Sequence, residues 1–358
     1  MIKKLDWYII KKFIGTFFFA IIILAVISCV IDYSEKVDDF VKHKAPLLEI
    51  LNYFKNFMPY IASLLYPLFI FIAAIFFTSK LAYKSEVIAM LAAGISFQRF
   101  LRPYVIGSFF LGSLSLLVNH FVLPVANKQR LVFEDKYVHE ARPSADMNVH
   151  LRLSKTQYVY MQSYNNTANM GSGFSAETVE GTELKERLTA ERASYDSVKG
   201  TWHLFNITIR KNNGLKEDIS FASELTKKYA FTPKDLNTDN DIMTAMTTPQ
   251  LIRKIAVMKT RGAETLNFYY VELHRRTSQP FAGFILTIIG ACISSRRIRG
   301  GSGFHLALGI AMSAVYMMLM QFSTTFSTKA GLNPLLAVWI PNFIFGAIAI
   351  YLYRKQIK

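Results

Sequence analysis

The sequence predicts a membrane protein of six transmembrane α-helices with an all-β, jelly-roll-like domain inserted between the third and fourth helices. Three observations carry this expectation. Six long runs are apolar and uncharged, Lys and Arg are spread unevenly around them, and mid-chain the pattern changes to short alternating segments.

Of the 358 residues, 52% are hydrophobic, and they gather in uncharged runs at 13–31, 56–79, 103–127, 277–295, 300–328 and 330–353. A helix rises ~1.5 Å per residue, so about 20 residues cross a ~30 Å hydrocarbon core, and each run is long enough. A further uncharged run, 156–176, is filled with Gln, Asn, Ser and Gly and fails as a span. Three parts follow: residues 1–127 with spans one to three, a β-domain over 128–247, and connecting helices with spans four to six over 248–358.

The net charge is +16, and its placement says more than its size. Segments 1–12, 80–102, 296–299 and 354–358 share one side and hold 14 Lys/Arg against two acids, Asp6 and Glu86. The opposite short loops hold five basic and five acidic residues, and 128–276 holds 22 basic and 18 acidic. Short loops rich in Lys and Arg stay in the cytoplasm, so both termini are expected inside and 128–276 outside. A charge excess confined to such loops also argues against a nucleic-acid partner.

Lys3, Lys4, Lys11 and Lys12 precede span one, which exits into an acidic segment carrying Asp32, Asp38 and Asp39. Val26-Ile27-Ser28-Cys29 has the look of a lipoprotein cleavage box, yet such a stretch is common inside a first span, so residues 1–28 are expected to be retained. Cys29 and Cys292 both fall in spans and read as small packing residues; the external segment has none and must fold without disulfides. Span two carries Pro59 and Pro67, tolerated where neighbours re-satisfy the backbone. In the loop 80–102, Ser85 can cap a short helix over 86–93, Glu86 suits its positive end and Gly94 can stop it. Val87, Met90 and Leu91 then form one apolar stripe, lying on the membrane or docking into a partner's groove.

Strands are predicted at 157–161, 188–195, 201–209 and 217–222, with turn signals at Asn165-Asn166, Gly171-Ser172-Gly173, Lys199-Gly200 and Asn212-Asn213-Gly214. Strict alternation along 201–209 places His203, Phe205, Ile207 and Ile209 on one face and Trp202, Leu204, Asn206 and Thr208 on the other. The first face is the more uniformly apolar, which marks it as the lining of a groove. A helix over 248–258 and another from 265 lead into span four.

The chain has no G-x-x-x-x-G-K-[ST] loop for ATP phosphates, no Cys/His cluster with metal spacing and no nucleophile with its base. No catalytic residue, metal or cofactor is expected. The span interiors lack Asp, Glu, Lys and Arg, which ion-coupled transporters place mid-membrane. His120 and His305 lie near span ends and read as interfacial or packing residues.

The segment Lys84-Ser85-Glu86-Val87-Ile88-Ala89-Met90-Leu91-Ala92-Ala93-Gly94 resembles the cytoplasmic coupling segment of the lipopolysaccharide export permeases, the LptF/LptG family. Other pieces agree in order: Leu5-Asp6 with Tyr8-Ile9, Ala190 with Ala193 and Tyr195, Glu272-Leu273-His274-Arg275-Arg276 before Pro280, and Trp339 with Pro341-Asn342. The resemblance covers essentially the whole chain. It implies a half-transporter in the bacterial inner membrane, paired with a homologous permease subunit, driven by a cytoplasmic ABC-type ATPase dimer and joined by a single-span periplasmic bridge protein. Lys84, Ser85, Glu86, Val87, Met90, Leu91 and Gly94 would couple to the ATPase. Lys36, Lys42, Lys44, Phe205, Ile207, Arg275 and Arg276 would lie on the lipid path. The acidic crowding after span one departs from the family's lysines there and looks closer to the G-type subunit than the F-type. Baring one acyl chain of a dozen carbons to water costs on the order of 10 kcal/mol, so a multi-acylated lipid needs an energy source and an apolar shelter. The alternative is a membrane-anchored envelope assembly scaffold whose β-domain binds periplasmic proteins.

Overall fold

A computed structural model of the chain describes residues 3–138, 148–165, 168–214, 216–233, 236, 240–261, 265–296 and 301–357. Six of the described helices are long and apolar enough to cross a membrane: Lys4–Lys42, Tyr66–Tyr83, Phe97–Tyr137, Leu266–Ser294, Gly303–Ala330 and Pro334–Gln356. A six-stranded antiparallel sheet lies between the third and the fourth. The chain divides into two compact units, one of Met1–Phe133, Asp241–Thr248 and Asn267–Lys358, the other of Glu134–Asn240 and Pro249–Leu266.

In the helical unit, α1 (Lys4–Lys42) runs for 39 residues, about 58 Å at the helical rise. Residues 32–42, expected as a loop, therefore continue the helix. The second apolar run is not one helix: α2 (Leu47–Leu64) and α3 (Tyr66–Tyr83) break at Leu65, with Pro67 in the first turn of α3. Proline has no N–H and crowds the carbonyl four residues back, so the helix restarts there. A seven-residue helix, α4 (Glu86–Ala92), follows. Then α5 (Phe97–Leu117), a π-helical turn (Val118–Val122) and α6 (Leu123–Tyr137) make one continuous rod that passes residue 128, the expected start of the β-domain.

At the centre of this unit stands α3, whose Ile70, Phe71, Ala73, Ala74 and Ile75 are fully buried. Close approach is possible because the facing helices, α9 (Leu266–Ser294) and α10 (Gly301–Ala330), put glycine opposite its bulky groups. Gly283 abuts Tyr66, Gly290 abuts Phe71 and Ala74, and Gly309 abuts Ile75. Membrane helices associate through such packing, since lipid tails supply no hydrophobic drive between them. The last helix, α11 (Pro334–Ile357), carries Pro341, which removes the donor for the Ala337 carbonyl. The Ser323 hydroxyl donates to that carbonyl at 2.5 Å.

The sheet comprises β1 (Val149–Arg152), β2 (Gln157–Asn165), β3 (Met170–Glu180), β4 (Glu183–Asp196), β5 (Thr201–Asn213) and β6 (Lys216–Lys227). Its spatial order follows the sequence, an up-and-down meander rather than the Greek-key order of a jelly roll. β3 fills the segment in which Gly171 and Gly173 had suggested a turn. Both glycines lie inside the strand: a side chain at Gly171 would strike Met161 and Tyr164, and Gly173 sits at φ +63° against Gln162.

A crease crosses this sheet. The paired registers skip Gln162 opposite Gly173, Gly173 opposite Glu191, Glu191 opposite Asn206 and Asn206 opposite Ser223, one row through five strands. Asn148, whose N–H donates to the Gln162 carbonyl, extends the row, and positive φ recurs at Asn148, Gly173 and Asn206. At the crease, inward-facing residues are spaced by three instead of two: Met161 and Tyr164, Ala190 and Ala193, Leu204 and Ile207. They and Trp202 form a single core, closed by Tyr229, Phe231 and Leu236. Between the sheet and α9 come two helices, α7 (Asn240–Thr244) and α8 (Thr248–Arg261).

Candidate functional site

The proposed coupling residues lie on and beside α4. The backbone turns sharply at Ser85, φ +60°, and its side chain does not cap the helix, contrary to the sequence reading. Gly94 does end it: at φ +81° its N–H donates to the Leu91 carbonyl and that of Ile95 to the Met90 carbonyl, a Schellman closure. Val87 is 1% exposed and belongs to the core built by α1, α3 and α5, with Met90 packed against it. The stripe Val87–Met90 thus faces the chain's own interior, and the outward apolar face is Ile88 with Leu91. The sequence placed Val87, Met90 and Leu91 on one stripe; the bundle claims the first two, and Leu91 joins Ile88 on the outer side. Ile88 and Leu91, with Ile95, Phe97, Ser295, Arg296 and Gln356, line a cleft of about 590 Å³. Lys84 is exposed, and Glu86 has no ion-pair partner among the described residues.

The three lysines after span one differ in setting. Lys36 is held by Asp32 at 2.7 Å and donates to the Tyr53 hydroxyl at 2.6 Å, while Tyr53 donates to Asp32 at 2.8 Å. Its ammonium also lies over the Tyr53 ring, 5.1 Å from the centroid. The acidic residue that looked like a departure in sequence is thus its internal counter-ion. Lys42 and Lys44 are exposed.

Arg275 and Arg276 share one carboxylate. Glu272 accepts from Arg276 at 3.0 Å and from Arg275 at 2.8 Å. Arg276 is buried, and its remaining donors reach Thr248 and the Met243 carbonyl, both at 3.3 Å. His120 contacts the same Thr248 hydroxyl at 2.9 Å, so Arg276 and His120 hold one framework together. Arg275, 43% exposed, instead lines a cavity of about 140 Å³ with Tyr60, Ser63, Asn127, Gln279, Met317 and Met320.

Two helix distortions meet at this cavity. The break between α2 and α3 frees the Ser63 carbonyl, and the Gln279 amide donates to it. The Ser63 hydroxyl donates to Asn119 at 2.8 Å within the π-helical turn, and Asn119 donates to Gln279 at 3.4 Å. Pro280 follows Gln279 in α9. Non-helical backbone within a membrane bundle is tolerated where it is buried in protein and its polar groups find partners, and π-turns often mark functional places. Sequence reasoning missed Ser63, Asn119 and Gln279; Pro67 was the one available signal.

On the sheet, Phe205 and Ile207 do not share a face, a correction with a local cause. The crease at Asn206, φ +54°, inverts the alternation, so Ile207 joins Trp202 and Leu204 in the core while Phe205 stays with His203 on the opposite face. The Asn206 amide donates to Glu191 at 2.5 Å, pinning the crease. Trp202 stacks on Phe231 at 4.7 Å and donates from Nε1 to its carbonyl at 3.2 Å. Burial and neighbouring Tyr195 push the Tyr164 phenol up to about 12.

Six helices long and apolar enough to cross a membrane and an inserted sheet with an apolar inner face define the class: a polytopic membrane protein with an accessory β-domain. Residues 7–355 match the family described as lipopolysaccharide export system permease LptF/LptG, and the chain belongs to that family. It is accordingly a multi-pass inner-membrane protein and a transport subunit. No curated protein compared with it gives a match.

Proposed function

We propose that the chain is one permease half of an ATP-driven exporter that lifts lipopolysaccharide from the outer leaflet of the inner membrane and passes it along the β-domain. The carrying observation is α4, which anchors Val87 in the bundle, presents Ile88 and Leu91 to an open cleft and begins with Glu86, which has no ion-pair partner among the described residues. A helix held from behind with an apolar outer face is suited to a partner's groove. The partner we assign is the cytoplasmic ATPase dimer, with Glu86 meeting one of its basic residues. Both termini would then be cytoplasmic and the sheet periplasmic, in keeping with the Lys and Arg bias of the short loops.

The partner half would be a homologous permease, and the acidic exit of span one favours the G-type for this chain. The single-span bridge protein would add to edge strand β6, whose Ile219 and Phe221 are 48% and 79% exposed. In this reading Lys42, Lys44 and Arg275 would meet lipid phosphates, and Ile207, on the apolar inner face of the sheet, would meet acyl chains. Purification from cells in mild detergent tests the reading. An ATPase and lipopolysaccharide should co-purify, and Ile88→Asp with Leu91→Asp should remove the ATPase without lowering the amount of inserted chain. Retention of periplasmic proteins alone would favour the scaffold reading.

A further inference from the structure

The groove between α5 and α11 lies away from every residue invoked above for lipopolysaccharide. The two helices scarcely touch, and between them is a cavity of about 450 Å³. On α5 it is lined by Gln98, Leu101, Arg102 and Val105, spaced as one helical face, and on α11 by Ile350 and Tyr353. The lining is apolar except at one end, where Gln98 and Arg102 stand. That is the end at which α5 begins and α9 and α11 finish: Gln356 donates to the Cys292 carbonyl at 2.8 Å and accepts from Arg296 at 3.2 Å. Arg354 and Lys355 are exposed in the last turn of α11. Among the described residues, Arg102, Arg354 and Lys355 have no ion-pair partner; nearby Arg99 is satisfied by Asp6 at 2.6 Å.

We infer that this groove is a binding site for an anionic glycerophospholipid of the surrounding bilayer, with one acyl chain along Leu101, Val105 and Ile350 and the phosphate at Arg102. The chain contributes little selectivity, because bilayer tails are as apolar as the groove. Preference comes from the head: uncompensated cations at a helix end attract anionic lipid, each by about fivefold. A zwitterionic lipid fills the same apolar space but gains little there. Gln98 also lines the cleft beside α4, so the site borders the coupling element.

The test is native mass spectrometry of the purified complex after exchange into vesicles of equal phosphatidylglycerol and phosphatidylethanolamine. Arg102→Gln should hold phosphatidylglycerol in the groove with about fivefold lower affinity than wild type. Val105→Trp, which fills the groove and leaves the charge, should remove both lipids from it. Thermal unfolding in detergent checks that each variant is folded, and Lys329→Gln, at the other end of α10, should leave occupancy unchanged. Equal retention of the two lipids by wild type would make this ordinary annular lipid. Unchanged phosphatidylglycerol in both Arg102→Gln and Val105→Trp would also overturn the assignment.

Discussion

Gln279 donates its side-chain amide to the carbonyl of Ser63, the acceptor that Pro67 cannot serve. One residue in the fourth span thus completes the backbone of the second. Gln279→Leu should leave a buried carbonyl unsatisfied and cost about 1–3 kcal/mol. Pro67→Ala restores the missing N–H and should make Gln279→Leu nearly harmless. Thermal unfolding of the four combinations in detergent measures the coupling, and additive losses would show that the amide does not stand in for the proline's lost donor.

Coupling to the ATPase separates the two faces of α4. Glu86→Lys should abolish stimulated ATP hydrolysis while the chain inserts normally, whereas Glu86→Gln should cost under ~1 kcal/mol if the carboxylate only complements the helix dipole. Val87→Asp buries a charge in the core and should lower stability itself. Wild-type transport by Glu86→Lys would remove this residue from the mechanism.

The crease makes a sharp expectation for the lipid path. A photocrosslinking residue at Ile207 should capture lipopolysaccharide when the ATPase is active, and one at Phe205 should not. Capture at Phe205 would show that the core face is not the passage.

Gly173 tests the crease. Its φ of +63° costs an alanine about 1–2 kcal/mol, and its Cβ would also collide with Gln162. Gly173→Ala should therefore destabilise the protein, and Gln162→Ala should relieve only the clash with Oε1, because the Gln162 Cβ, 2.7 Å from the new methyl, remains. Full recovery in the double variant would mean that the backbone there is not strained.

Orientation is read by single cysteines in a chain lacking Cys29 and Cys292. Val198→Cys, in the exposed turn before β5, and Asn333→Cys should react with an impermeant thiol reagent in intact cells, and Ala93→Cys should not. The reverse pattern would invert the proposed topology.

The six spans were legible because length and absence of charge decide membrane crossing almost alone. Gly94 was legible as a helix stop for a similarly local reason. What escaped was whatever a neighbour decides. Val87 and Ile88 are equally apolar, and only the packing of α1, α3 and α5 makes one core and the other surface. The parity of β5 escaped because nothing in Phe205-Asn206-Ile207 marks Asn206 as left-handed until β4 supplies Glu191 as its partner. Ser63 and Gln279 are 216 residues apart and meet only in the folded bundle.

The row from Gln162 to Ser223 also constrains how this domain can change over time. Each strand reverses its facing at the same level, so adding or deleting a residue in one strand between its hairpin and that row would turn half of it inside out. The neighbours could follow only by changing together. Length variation among relatives should therefore collect at hairpin tips such as Gly181 and Gly214, both at positive φ with open space around them. Strand segments on either side of the row should keep a fixed number of residues even where their side chains diverge.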